Sequence, residues 1–125
     1  MSGTLNYLQP HERMALDDYV NRLHLSLGDN LTGLWLFGSK SRGDFELGSD
    51  IDLLLVLKTP QPETRWRIRE IAAQCSLEYD VLFNTHILDQ DRWDEEVHYR
   101  GTLWREIRRD GVSLLLERVA GAPGR

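Results

Sequence analysis

Apolar positions change period several times along the chain, and each change marks an element. Leu16, Tyr19, Val20, Leu23 and Leu27 recur at helical spacing. That pattern predicts an amphipathic helix over about Pro10 to Leu27, stopped by Gly28. Gly28-Asp29-Asn30 reads as a turn. Leu31 to Phe37 is an apolar run of strand length, and Ile51 to Leu57 is a second, whose unbroken Leu and Val content predicts cover on both faces. The polar, glycine-punctuated stretch from Gly38 to Gly48 leaves room for one short helix. Beyond the linker Thr59-Pro60-Gln61-Pro62, a helix is predicted over Glu63 to Ser76, with Ile68, Ile71, Ala72 and Cys75 as its apolar stripe. Leu77 to Phe83 is predicted as a third strand. Two short helices follow, near Leu88 to Tyr99 and Thr102 to Asp110, then a last strand over Val112 to Val119. Strands alternating with helices predict an α/β or α+β fold.

At 125 residues and 14.5 kDa the chain has room for one domain, 1–125, with one real core. Hydrophobic residues at 41% and charged residues at 28% exclude a disordered chain. The longest apolar run, Leu53 to Leu57, is far short of the roughly 20 residues of a membrane span. Met1 to Pro10 lacks the pattern of a signal peptide. Cys75 is the single cysteine, which excludes an internal disulfide and a cysteine zinc cluster and fits the cytoplasm. Fifteen basic against 20 acidic residues give a net charge of −5, so direct nucleic-acid binding is not expected.

The chemistry concentrates in residues 37–52. Asp50 and Asp52 stand two apart at the head of an apolar strand, so their side chains share a face roughly 6–7 Å apart. Two like charges so placed repel unless a cation compensates them. A pair of divalent ions would do so, and Mg²⁺ takes one or two carboxylates together with substrate phosphates. Upstream, Gly38-Ser39 falls where a strand turns into a short helix, a setting in which the open glycine, the following amides and the hydroxyl suit a phosphate. A phosphate cradle beside paired carboxylates points to a nucleoside triphosphate with bound metal. Lys40 and Arg42 either steer phosphates or are spent otherwise, Lys40 in solvent and Arg42 on Asp44 or Glu46. Asp80, within the predicted third strand, joins the cluster if that strand neighbours the second. Gly33 to Lys40 looks like a P-loop, but its Ser-Lys order is inverted and it overlaps a strand. His11, His24, His86 and His98 share no spacing and read as surface residues.

Glycine-serine, ten residues, then Asp-x-Asp resembles the signature of the DNA polymerase beta-like nucleotidyltransferase superfamily. Gly38-Ser39 and Asp50-Ile51-Asp52 carry it, and Arg42-Gly43 and Ser49 fit the fuller pattern of its minimal nucleotidyltransferases. Ser41 stands where that pattern often has alanine. The resemblance covers about residues 10–84, and more loosely the segment 85–119. It implies a mixed sheet of three to four strands flanked by helices. It also implies transfer of AMP from ATP to an acceptor hydroxyl, with pyrophosphate leaving. In that scheme Asp50, Asp52 and Asp80 are the catalytic and Mg²⁺-binding acids of a two-metal site, with Asp80 also positioning or deprotonating the acceptor. Gly38, Ser39, Lys40, Arg42 and Ser49 are the nucleotide-binding set. Short members of the family resemble MntA-like antitoxins, encoded beside a HEPN toxin and transferring AMP to a tyrosine on it. The alternatives are a small-molecule adenylyltransferase, similar to those modifying aminoglycosides, that completes its pocket as a homodimer, and a non-catalytic antitoxin that blocks by contact.

Trp93, Tyr99 and Trp104 follow the third predicted strand, amid Asp91, Asp94, Glu95 and Glu96. At least one of Trp93 and Tyr99 is expected to be exposed as an anchor for a basic partner.

Overall fold

A computed structural model describes residues 3–44 and 50–115. The elements run α1 (Pro10–Leu27), a 3₁₀ turn (Gly28–Asn30), β1 (Leu31–Phe37), α2 (Ser39–Arg42), β2 (Ile51–Leu57), α3 (Pro62–Tyr79), β3 (Phe83–Asp89), α4 (Gln90–Tyr99), α5 (Thr102–Asp110) and β4 (Val112–Ser113). The strands form one mixed sheet in the order β3-β2-β1-β4. β1 runs antiparallel to β2 and to β4, and β2 runs parallel to β3. The expected α/β class and mixed sheet are therefore present.

Alternation along the central strand sorts the two faces of the sheet. Ile51, Leu53, Leu55 and Leu57 point into the larger core, built with Leu16, Tyr19 and Leu23 of α1 and Ile68, Ile71 and Cys75 of α3. Leu54 and Val56 point the other way, into a smaller cluster with Phe37 and Ile107, flanked by Trp35, Trp93 and Leu103. All seven β2 residues except Asp52 are buried, as expected of a strand covered on both faces. Tyr19 is fully buried; its hydroxyl donates to the Ile68 carbonyl at 3.4 Å and lies 3.3 Å from Thr85 Oγ1, and burial pushes its pKa up to about 12. His24, read as a surface residue, is buried instead, its Nδ1 donating to the Val20 carbonyl at 2.8 Å.

The third strand differs from its prediction. Leu77, Tyr79, Val81 and Phe83 alternate like a strand, yet α3 runs on through Tyr79. The reason is helical spacing: Cys75 and Tyr79 are four apart on the face toward α1, where the Tyr79 hydroxyl donates to Asp18 Oδ2 at 2.9 Å. Arg22 joins the same junction, bonding Asp18 and Glu78. Leu77, on the opposite side, is exposed. Asp80 then ends the helix in the left-handed conformation (φ 56°), and β3 begins only at Phe83. The strand predicted over Val112 to Val119 is a two-residue pairing with β1 as far as the described residues reach.

At least one of Trp93 and Tyr99 is exposed, as expected, and it is not Trp93. Its ring lies 5.2 Å from that of Trp35, in the smaller core, so it is a packing residue rather than a free anchor. Tyr99 is the exposed one of the pair, and Trp104 carries the Arg108 guanidinium 5.4 Å over its ring.

Candidate active site

Strand directions bring the motif together. β1 is antiparallel to β2, so the turn leaving β1 at Gly38-Ser39 meets the start of β2 at Asp50 and Asp52. Phe37 pairs with Asp52 across that ladder, and on the other side Asp52 pairs with Asn84 of β3. Asp52 lies on the face of Leu54 and Val56, but α4 and α5 cover only the far part of that face. At the near end, among the described residues, Asp50, Asn84 and His86 are exposed and Asp52 is half-buried. His86 lies next along β3, its ring 5.5 Å from that of Phe37.

Gly38 is the hinge of the arrangement. Its φ of +78° is one that residues with a Cβ rarely adopt. A Cβ added there would sit 2.5 Å from Asp52 Oδ2. The bare glycine thus lets the second carboxylate seat directly against the turn that carries Ser39. The Ser41 hydroxyl donates to the Gly38 carbonyl at 2.9 Å, so the turn is closed from within. α2 is a single turn with little macrodipole, so what the turn presents is the open Gly38 Cα and the half-buried Ser39.

The two cations after Ser39 are both committed elsewhere. Lys40 is neither in solvent nor aimed at the open end; it is buried, with Nζ 2.6 Å from Glu12 Oε2 of α1. Arg42 bonds Asp44 through Nε at 3.1 Å and Asp110 of α5 through Nη1 at 3.1 Å. Asp110 is buried and also accepts from Arg109 at 2.7 Å. The Arg109 guanidinium first, and Arg42 after it, hold the Asp110 carboxyl below its ordinary 3.8. A depressed carboxylate pKa stabilises the fold above the unfolded value, and that stabilisation is lost as pH falls through the folded one. Stability is therefore expected to fall with acidification below about pH 4, and Asp110→Asn to flatten that limb while lowering the melting temperature at pH 7. Melting curves of both proteins from pH 3 to 7 check this.

Asp80 is not on the sheet. It is exposed at the end of α3, two residues before Leu82, whose carbonyl accepts the Ile51 amide at 2.9 Å. The β3 residue level with Asp52 is Asn84, whose Nδ2 donates to Asp52 Oδ1 at 2.9 Å. Ser49 and Glu46 lie outside the described residues. Among the described residues no group of three or more His, Cys, Asp and Glu side chains gathers as a metal cage. Two carboxylates at an open sheet end still fit Mg²⁺, which keeps positions for substrate phosphates rather than needing an all-protein cage. Sequence reasoning missed Asn84, because the strand that carries it was placed too early. It also missed the Glu12 and Asp110 anchors, since partners 28 and 68 residues from Lys40 and Arg42 leave no local signal.

Residues 18–101 match the model of the nucleotidyltransferase domain family. The chain is a nucleotidyltransferase. Two similar proteins come from Methanocaldococcus jannaschii. One is named "Putative protein adenylyltransferase MJ0141" and is 41% identical over 70 residues, 55% of this chain and 71% of that protein. A second of the same description, MJ0604, is 25% identical over 89 residues, 71% of this chain and 85% of that protein. In fold, this nucleotidyltransferase is similar to a crystal structure of a toxin–antitoxin with AMP-PNP (TM-score 0.52, 23% identity, 83% of this chain and 76% of that one). It is also similar to a mutant of the toxin–antitoxin MntA-HpeT (TM-score 0.51, 22% identity, 81% and 73%). Among the described residues no helix of the nucleotidyltransferase is long and apolar enough to cross a membrane.

Proposed function

We propose that this nucleotidyltransferase transfers AMP from ATP to a hydroxyl on a partner protein, a tyrosine of a HEPN-type toxin, and so acts as an antitoxin. The observation that carries the reading is the seat of the Asp52 carboxylate against Gly38, which joins the acid pair to the phosphate turn. The names of the Methanocaldococcus relatives support a protein acceptor. The toxin–antitoxin structures of the same fold support the kind of partner.

In this reading Gly38 and Ser39 receive the β- and γ-phosphates. Asp50 and Asp52 would hold Mg²⁺, which when bound neutralises charge on the phosphates and the leaving pyrophosphate. Asp80, at the same end of the sheet, serves the acceptor side, positioning the hydroxyl or taking its proton. Lys40 and Arg42 fix the turn from behind rather than touching phosphate. The protein's work is to align an oxygen nucleophile with the α-phosphate and to balance charge.

The test is transfer of label from α-³²P-ATP with Mg²⁺, given either the product of the neighbouring gene or a panel of aminoglycosides. Label on a tyrosine of the partner is expected, and none with Asp52→Asn. Label on a small hydroxyl compound alone would replace the protein acceptor with the small-molecule reading and its homodimer. Partner binding with no transfer at all would leave a non-catalytic antitoxin.

A further inference from the structure

The hydrogen bond to Asp52 from β3 has no place in the reaction scheme above. Asn84 stands directly across the parallel ladder from Asp52, on the open face, and its Nδ2 reaches Oδ1 at 2.9 Å. The other carboxylate oxygen, Oδ2, is the one turned to the bare Cα of Gly38. The two oxygens of Asp52 thus have separate surroundings. An exposed hydrogen bond of this kind adds little to stability, because water replaces it at small cost. Its effect is on orientation, since a carboxylate free to rotate about its last torsion would swing the plane of its two equivalent oxygens away from the turn. The chemistry of the amide matters as well. A carboxylate at position 84 would put a third negative charge beside Asp52, whereas asparagine donates without adding charge.

We propose that Asn84 is a positioning residue that clamps Asp52 Oδ1, so that Oδ2 stays aimed at the Gly38-Ser39 turn where cation and triphosphate meet. The inference rests on Asp50 and Asp52 being the metal-binding acids. Asn84 acts through Asp52, and the quantity it sets is the Mg²⁺ concentration at which nucleotide binds.

The experiment is thermal melting of the full chain, without metal and in an Mg²⁺ titration at fixed AMP-PNP. Asn84→Ala should melt within about 2 °C of the parent without metal, as an exposed substitution does. It should need at least threefold more Mg²⁺ for half of the nucleotide-dependent shift. Asn84→Asp should melt lower without metal, through repulsion with Asp52, and regain the difference as Mg²⁺ is added. A midpoint for Asn84→Ala less than threefold above the parent overturns the proposal. Should Asn84→Ala fail to fold, Asn84→Asp decides by itself, and a metal-free melting temperature equal to the parent's overturns it. If Asp52→Asn loses the shift while Asn84→Ala keeps the parent midpoint, only Asn84 is removed and the acid pair stands. If the parent shows no Mg²⁺-dependent shift, the metal reading and the role of Asn84 fall together.

Discussion

Asp52→Asn is expected to cut AMP transfer by about two to three decades, with the fold intact. Charge stabilisation by a bound cation supplies several kcal/mol to phosphoryl-transfer chemistry, and about 3–4 kcal/mol corresponds to that loss. Asp52 is the acid most exactingly placed, between the bare Gly38 Cα and the Asn84 amide. Removing one of two like charges two residues apart also relieves repulsion, so the metal-free melting temperature should hold or rise. Single-turnover transfer and melting of Asp52→Asn and Asp50→Asn measure both effects. Parent-level transfer in either variant would sink the assignment of that acid to the metal.

The second large effect is on stability, at Glu12. Its carboxylate meets Lys40 Nζ at 2.6 Å with side-chain exposures of 8% and 2%, and its other oxygen accepts the Gln9 amide at 2.9 Å. Glu12→Gln takes the Glu12 carboxylate from the buried Lys40 ammonium, a change expected to cost about 3 kcal/mol and roughly 10 °C in melting temperature. Replacing both partners, Glu12→Leu with Lys40→Met, should recover most of the loss, because an apolar pair of similar volume needs no desolvation of charge. A double variant no more stable than Glu12→Gln would mean that Glu12 acts mainly by capping α1. Nucleotide affinity should fall in Glu12→Gln along with stability, since Lys40 belongs to the turn that holds Ser39.

Much of the fold was legible because breakers and periodicity agreed. Pro10 and Gly28 bracket α1, and Gly101 and Gly111 bracket α5, both on their predicted bounds. β1 and β2 were readable as apolar runs between polar residues or glycine, Asn30 and Gly38 about β1 and Asp50 and Lys58 about β2. The passage from α3 to β3 was not, because residues 77–83 satisfy a strand's alternation and a helix's spacing at once. Contact with α1 through Tyr79 decides for the helix, and that is a tertiary fact. The meeting of the Gly38-Ser39 turn with the Asp50-Asp52 segment was readable, because the motif has a fixed spacing and two adjacent antiparallel strands bring its ends together. The pairing of Arg42 with Asp44 was one of the alternatives the sequence offered, but the ties of Lys40 to Glu12 and of Arg42 to Asp110 were not legible, because a cation's local sequence does not say which distant acid will claim it.

Those two cations tie the phosphate turn to opposite layers of the molecule, Lys40 to α1 and Arg42 to α5. The second tie spans 68 residues of sequence. During synthesis, then, a chain that has emerged only as far as β3 already displays the whole glycine-serine and Asp-x-Asp motif, yet one of the anchors that set the turn is still to come. In the proposed reading, competence to hold a triphosphate would come late, when α5 packs, and the growing chain would pass through a stage that carries the motif without the Arg42–Asp110 anchor.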